Sequence, residues 1–138
     1  MDIEKLCKDD FSHCSRGYPT VRFFYKGVVM FNVAAVRHLR LYDKKGGYAR
    51  VSICRDKDKP DDFSVTVDSD GWQLRENGHG EAVFNSVGLA RHVIDLTWER
   101  CSHAADGVKP RSWVFRIARL PLDDEKNRDV YALIRKKL

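Results

Sequence analysis

Residues 21–32 decide the fold of the chain, and they read VRFFYKGVVMFN. β-Branched and aromatic residues dominate both halves of this stretch, which is typical of strands because such side chains fit a pleated, half-buried surface. Lys26 and Gly27 between the halves predict a tight turn, so the stretch is interpreted as a β-hairpin. Asn32 is a favourable N-cap, which predicts that a short helix begins where the second strand ends.

The rest of the chain continues this alternation of strand-like segments and turns. Further strand-like segments occur at residues 49–54, 63–67, 72–75, 82–84, 113–117 and 129–134. Leu89, Val93 and Leu96 fall on one face of a second helix that runs to about Glu99. We therefore predict a leader segment at residues 1–20 and a single α+β domain at residues 21–138. Its mostly antiparallel sheet is expected to have six to eight strands, with two helices.

The composition of the chain is that of a soluble globular protein. Hydrophobic residues make up 43% and charged residues 33% of the 138 residues, which excludes a fully disordered chain and a fibrous repeat. No apolar run approaches the roughly 18 to 20 residues that a membrane helix needs. The N-terminus has acidic residues and no apolar segment of a secretory signal. We therefore expect a cytoplasmic protein that does not contact a membrane.

A strand-to-helix corner occurs twice in the sequence, at about residues 28–41 and 81–96. Each copy has a strand ending in Phe-Asn and a following helix that carries Arg-His on one turn. The shared residues are Phe31, Asn32, Arg37 and His38 in the first copy and Phe84, Asn85, Arg91 and His92 in the second. Because an Asn at this position caps exposed helix amides, we predict a pseudo-repeated β-α unit with an Asn cap in each copy, the alternative cap of the second helix being Ser86.

The first copy of this corner resembles a known DNA-binding repeat. Residues 26–31, a Gly turn and a strand, lead into Leu-Arg-Leu at residues 39–41 and a further strand at residues 51–53. This order is similar to the AbrB-type swapped-hairpin repeat, which has a Gly turn, a strand, a short helix ending Leu-x-Leu and another strand. The chain departs from that pattern at Asn32, near the usual Pro, and at residues 45–47, where Lys-Gly-Gly replaces Gly-Asp. The resemblance implies DNA binding.

A second resemblance concerns the predicted four-strand meander from residue 49 to residue 84 and the helix after Asn85. This arrangement is similar in topology to the Whirly and PUR-type single-strand-binding unit. That unit has four antiparallel strands followed by a helix packed on one face of the sheet. Both resemblances imply a nucleic-acid partner, through different modes of binding.

Charge is distributed unevenly along the chain. The whole sequence has 25 Lys and Arg against 20 Asp and Glu, a net charge of +5. Residues 21–60 hold 10 of the basic and 3 of the acidic residues, whereas residues 61–100 hold 3 and 8. A basic block of this kind suits phosphate binding. The other interpretation is a solvated face that keeps the protein soluble.

The candidate nucleic-acid-binding residues lie in this basic block. If Val21 and Phe23 point into the core, Arg22, Phe24 and Lys26 share the outward face of the first strand. Cations that meet phosphate and a ring that stacks on a base suit a single strand. Alternatively, Phe24 packs under a helix. The candidate residues are Arg22, Lys26, Arg37, Arg40, Lys44, Lys45 and Arg50 for phosphate and Phe24 for stacking.

Motifs for catalysis do not occur in the sequence, which has no GxGxxG, P-loop, HExxH or nucleophile elbow. Its four cysteines lack the paired C-x-x-C spacing of a structural zinc site, so we expect no metal and no other cofactor. The favoured function is non-enzymatic nucleic-acid binding, to single-stranded or weakly sequence-specific DNA. The alternative is a homo-oligomeric protein-interaction domain, such as a homodimer in which the acidic block of one copy meets the basic block of another.

Overall fold

Strands make up most of the regular structure in residues 17–59, 62–101, 107–122 and 129–135, the parts of the chain that a computed structural model describes. Most of the predicted leader segment lies outside these residues. The strands are β1 (Thr20–Phe24), β2 (Val28–Phe31), β3 (Tyr42–Asp43), β4 (Gly47–Tyr48), β5 (Arg50–Arg55), β6 (Phe63–Val67), β7 (Trp72–Gln73), β8 (Arg75–Glu76), β9 (Ala82–Asn85), β10 (Ser112–Ile117) and β11 (Val130–Arg135). The helices are α1 (Val33–His38) and α2 (Val87–Glu99). The predicted α+β class is therefore confirmed.

Nine of the strands form one sheet, in which every pair of neighbours is antiparallel. The order of strands is β7-β5-β6-β11-β10-β1-β2-β9-β8. The two edge strands, β7 and β8, belong to one stretch of chain, residues 72–76. Because this stretch pairs with β5 through β7 and with β9 through β8, it joins the two ends of the sheet. The sheet therefore curls into a nearly closed barrel.

The predicted number of six to eight strands is wrong, since the main sheet has nine. The difference arises at residues 72–76, since the sequence predicted one continuous strand at residues 72–75. The chain changes pairing partner at the buried Leu74, whose N–H donates to the carbonyl of Ala49. This change divides the stretch into β7 and β8. The strands β3 and β4 form a separate two-stranded hairpin that the sequence did not predict.

The barrel interior is filled by alternate side chains of the strands. Phe23 on β1 and Phe115 on β10 are buried, with ring centroids 5.5 Å apart, and the ring of Phe63 on β6 lies 6.3 Å from that of Phe115. Each such side chain contributes roughly 1.5 to 3 kcal/mol to folding when fully buried. Because side chains alternate across a strand, the intervening residues face outward from the barrel wall.

Both helices begin directly after strands and pack against the barrel. Asn32 caps α1 as predicted, since its side-chain oxygen accepts from the N–H of Ala35 at 2.8 Å. The prediction that Asn85 caps α2 is wrong, because Ser86 is the N-cap and accepts from the N–H of Leu89. Asn85 instead ends β9. Neither α1 nor α2 is long and apolar enough to cross a membrane.

Candidate nucleic-acid interface

The outward face of β1 brings together three of the predicted site residues. Arg22 and Phe24 alternate with the fully buried Phe23, so both point away from the core and both remain partly exposed. The guanidinium carbon of Arg22 lies 5.8 Å from the centroid of the Phe24 ring, and Nζ of Lys26 lies 5.5 Å from it. Both distances are within the range of cation–π attraction. Phe24 is therefore a surface ring between two cations.

This cluster continues onto β10, the neighbour of β1. Arg22 donates from Nη1 to the hydroxyl of Ser112 at 2.9 Å. Arg116 points outward because its neighbours in β10 are buried, and its guanidinium carbon lies 4.1 Å from the centroid of the Tyr18 ring. The guanidinium carbon of Arg119 lies 5.0 Å from the same centroid, and Tyr18 is 48% exposed. We call Tyr18, Arg22, Phe24, Lys26, Arg116 and Arg119 the β1 surface.

The four cations of the β1 surface form no ion pair with a described carboxylate. Among the described residues the single ion pair is Lys109 with Asp95, so no described carboxylate neutralises any of the four. Their hydrogen-bond partners are neutral: the Ser112 hydroxyl for Arg22 and the carbonyl of Gly17 for Arg119, at 2.7 Å. Unpaired cations next to one another raise the local concentration of polyanions. The surface is therefore strongly basic.

Sequence reasoning missed Tyr18 and Arg119 as members of this surface. Tyr18 fell in the predicted leader segment, and Arg119 lies in the loop that follows β10. Their contact joins two distant parts of the chain, and it forms because the first residue of β1 pairs with Arg116 in β10. No local pattern in the sequence signals such a contact.

The other five predicted residues lie elsewhere on the barrel. Arg37 is on α1, Arg40 follows it, and Lys44 and Lys45 lie between β3 and β4. Arg50 begins β5. In one direction around the barrel, three strands lie between β5 and β1; in the other direction, β2, β9 and the β7–β8 stretch lie between them. Arg50 is thus on the opposite wall from the β1 surface. We call Arg37, Arg40, Lys44 and Lys45, all exposed, the α1–hairpin surface.

A third group of charged residues, at the end of β1, contains the ion pair between Lys109 and Asp95. The Tyr25 ring has Arg91 and Lys109 within 4.9 and 4.5 Å of its centroid. Nζ of Lys109 donates to the Tyr25 hydroxyl at 3.0 Å and to the carboxylate of Asp95 at 2.5 Å. The hydrogen bond with Asp95 is the main reason why the pKa of Lys109 is raised. This group ties α2 to the end of β1, and its ion pair leaves Arg91 as its one cation without a described carboxylate partner.

Cys54 provides a chemical test of the outward face of β5. It is partly exposed, yet burial raises the pKa of its thiol and the nearby Asp68 raises it further. Because the thiolate is the reactive form, a variant with Cys7, Cys14 and Cys101 replaced by Ser is expected to react with iodoacetamide more slowly than free cysteine. The reaction rate is measured against pH. Adding Asp68→Asn should move the profile to lower pH, and no movement would contradict this arrangement.

The β1 surface places cations beside two partly exposed aromatic rings. Within the described ranges, no three His, Cys, Asp or Glu side chains form a group that could hold a metal ion. No known protein family, curated protein or solved structure shows a significant match to the chain.

Proposed function

We propose that the protein is a non-enzymatic nucleic-acid-binding domain that prefers single strands and reads sequence weakly. The observation that carries this proposal is the β1 surface, where four cations without a described carboxylate partner surround two partly exposed rings. Cations attract phosphates, and aromatic rings and guanidinium planes stack on bases. This combination is typical of proteins that bind single strands.

The composition of the β1 surface favours a single strand over a duplex. Bases in a duplex are stacked on one another, so the Phe24 and Tyr18 rings could reach them only in an unpaired strand. The surface holds no Asn or Gln, the side chains that read adenine by paired hydrogen bonds. Arg22 already donates to Ser112. Affinity would therefore come from phosphate contacts and stacking, which depend little on base sequence.

Charge removal on the β1 surface tests this function. We expect Arg22→Gln/Lys26→Gln/Arg116→Gln to bind a labelled single-stranded oligonucleotide at least about tenfold more weakly than the wild type at about 50 mM salt. The slope of log affinity against log salt should fall by about 2, since each contact contributes about 0.7 for single strands. Fluorescence anisotropy from about 50 to 200 mM salt measures both, with duplex DNA in parallel.

Two exposed lysines between β5 and β6 supply the matched control. Lys57→Gln/Lys59→Gln also removes positive charge, but outside the β1 surface, and is expected to leave affinity nearly unchanged. Equal weakening per charge removed in the two variants would mean that net charge alone drives binding. If the wild type failed to bind single strands at the lowest salt, or preferred duplex DNA, the proposal would be wrong.

A second candidate function is homo-oligomerisation, and the outward wall formed by β5, β6 and β11 favours it. The outward residues of β11, β6 and the end of β5 are all uncharged: Ser52, Cys54, Ser64, Thr66, Val130, Ala132 and Ile134. Ile134 is 53% exposed. Two copies could meet at the part of this wall that lies between Asp68, which accepts from the hydroxyl of Ser52, and Arg116, which pairs with Ile134. A dimer that persists at high salt in analytical ultracentrifugation would support this candidate, whereas a salt-labile dimer would indicate contact between the acidic and basic blocks.

We further propose that the chain is an internal duplication. The paired strands β2 and β9 place Met30 directly opposite Val83, and these two residues occupy equivalent positions in the two sequence copies. The first half would consist of β1–β2, α1 and β5–β6, with the β3–β4 hairpin inserted after α1. The second half would consist of β8–β9, α2 and β10–β11 in the same order. A crystal structure tests this proposal: the two halves should superimpose by a rotation close to a twofold whose axis passes between Met30 and Val83. A different axis would refute duplication.

A further inference from the structure

The α1–hairpin surface is basic and, like the β1 surface, is not neutralised. None of its four residues forms an ion pair with a described carboxylate. Asp43 is the nearest acidic residue in sequence, and its side chain accepts from the backbone N–H of Lys45 at 3.1 Å, which orders the turn between β3 and β4. Lys44 and Lys45 are thereby presented at the end of a hairpin that lies outside the main sheet.

A direct contact connects this surface with the β1 surface. Arg119, whose guanidinium faces the Tyr18 ring, also accepts at its backbone carbonyl from Nε2 of His38 at 2.7 Å. His38 is the last residue of α1. The C-terminal end of α1 is therefore held against the edge of the β1 surface, and Arg40 follows two residues later.

Arg40 has an unusual backbone conformation for an arginine. After α1 the N–H of Leu41 donates to the carbonyl of Val36 at 2.9 Å, and the N–H of Arg40 donates to that of Arg37 at 3.3 Å. This pair of bonds defines a Schellman motif, whose left-handed residue is usually Gly. Arg40 occupies that position with φ +53°, and it is the one described residue other than Gly with a positive φ. A side chain at this position is disfavoured for the backbone.

We infer that the two surfaces form one continuous path for a single-stranded nucleic acid, which crosses Arg119 and the end of α1 to reach Arg40, Lys44 and Lys45. The inference rests on the proposed function. Arg40 and Lys44 are four residues apart in sequence, so their Cα atoms lie at most about 14 Å apart. A strand that reaches Arg40 therefore needs to extend no farther than this to reach Lys44. Arg40 places a positive charge on this path at a left-handed position that glycine would occupy with less backbone strain.

Oligonucleotide length provides the test. Two variants, Arg40→Gly and Lys44→Ala/Lys45→Ala, are titrated with labelled oligothymidylates of about 6 and about 20 nucleotides, within and above the site sizes of small single-strand-binding folds. We expect each variant to bind the longer oligonucleotide at least about threefold more weakly and the shorter one as tightly as the wild type. Arg40→Gly should also raise Tm, because it relieves the backbone, so weaker binding by this variant cannot come from unfolding.

Arg40→Ala and Lys57→Ala/Lys59→Ala serve as controls. The first removes the charge but keeps a side chain in the left-handed conformation, so it should weaken binding of the longer oligonucleotide without raising Tm. The second should change neither. Unchanged affinity of Arg40→Gly and Lys44→Ala/Lys45→Ala for the longer oligonucleotide would overturn the path and leave the proposed function standing.

Two further outcomes would also overturn the path. Equal weakening for both lengths would place the α1–hairpin surface inside the primary site, and two long oligonucleotides bound per protein in native mass spectrometry would indicate separate sites. If the wild type bound neither oligonucleotide, both the path and the proposed function would be wrong.

Discussion

Alanine at position 71 is expected to lower the free energy of unfolding by at least about 4 kcal/mol, or to prevent folding altogether. A Cβ atom on Gly71 would lie 2.2 Å from the carbonyl oxygen of Val51 and 2.3 Å from its carbonyl carbon. Both atoms are backbone of β5, and Val51 pairs with Trp72, the residue after Gly71. The clash cannot be relieved by a side-chain rotation. It would separate β7 from β5 and open the barrel.

Gly88 supplies the control for this substitution. It lies in α2, and beyond its chain neighbours and the backbone of its own helix no atom lies within 4 Å of the Cβ position, so Gly88→Ala should be neutral or stabilise the protein by up to about 1 kcal/mol. Urea denaturation followed by tryptophan fluorescence measures both variants. If the stability of Gly71→Ala were within about 1 kcal/mol of that of the wild type, the backbone of Val51 in β5 could not lie this close to Gly71.

Replacing Asn32 with alanine should give the second large effect, a loss of about 2 to 4 kcal/mol. Its side-chain oxygen accepts from the N–H groups of Ala35 and Thr20, at 2.8 and 3.0 Å, and its amide donates to the carbonyl of Tyr18 at 2.9 Å. Loss of a helix cap costs about 0.5 to 2 kcal/mol. The N–H of Thr20 would also lose the Asn32 oxygen as its acceptor, and Thr20 is only 5% exposed.

Asn85 is the matched control, because it occupies the equivalent position in the second sequence copy and caps no helix. Its side chain accepts from Arg75 at 3.2 Å on the surface, so Asn85→Ala should change stability by no more than about 0.5 kcal/mol. Asn32→Asp, which keeps both acceptor bonds and loses the amide donor, should be intermediate. Thermal and urea denaturation measure the stability of the three variants. Equal losses of stability in Asn32→Ala and Asn85→Ala would contradict the expected order.

Local patterns predicted the elements of this fold better than their arrangement. The alternation in VRFFY placed Arg22 and Phe24 outward, and Asn32 marked the start of α1, because both features depend on residues close together in sequence. The division of residues 72–76 into β7 and β8 depends instead on pairing with β5 and β9. Two-residue strands have no sequence period to detect.

The candidate site shows the same limit. The eight predicted residues are close together in sequence, but their placement depends on the order of strands around the barrel, which no local pattern encodes. Arg22, Phe24 and Lys26 share a face because they follow one strand, whereas Arg50 lies on a wall that three intervening strands separate from β1. Tyr18 joins Arg116 and Arg119 only because β1 pairs with a strand about 90 residues away in the chain.

Closure of the barrel by residues 72–76 also protects the protein from aggregation. Unpaired strand edges are templates for pairing with other chains, and here one short stretch covers the edges of both β5 and β9. Local opening of this stretch would expose two edges at once on the same molecule. A destabilised variant such as Gly71→Ala would then be prone to strand exchange between copies and to ordered aggregates, even while the remaining strands stay paired.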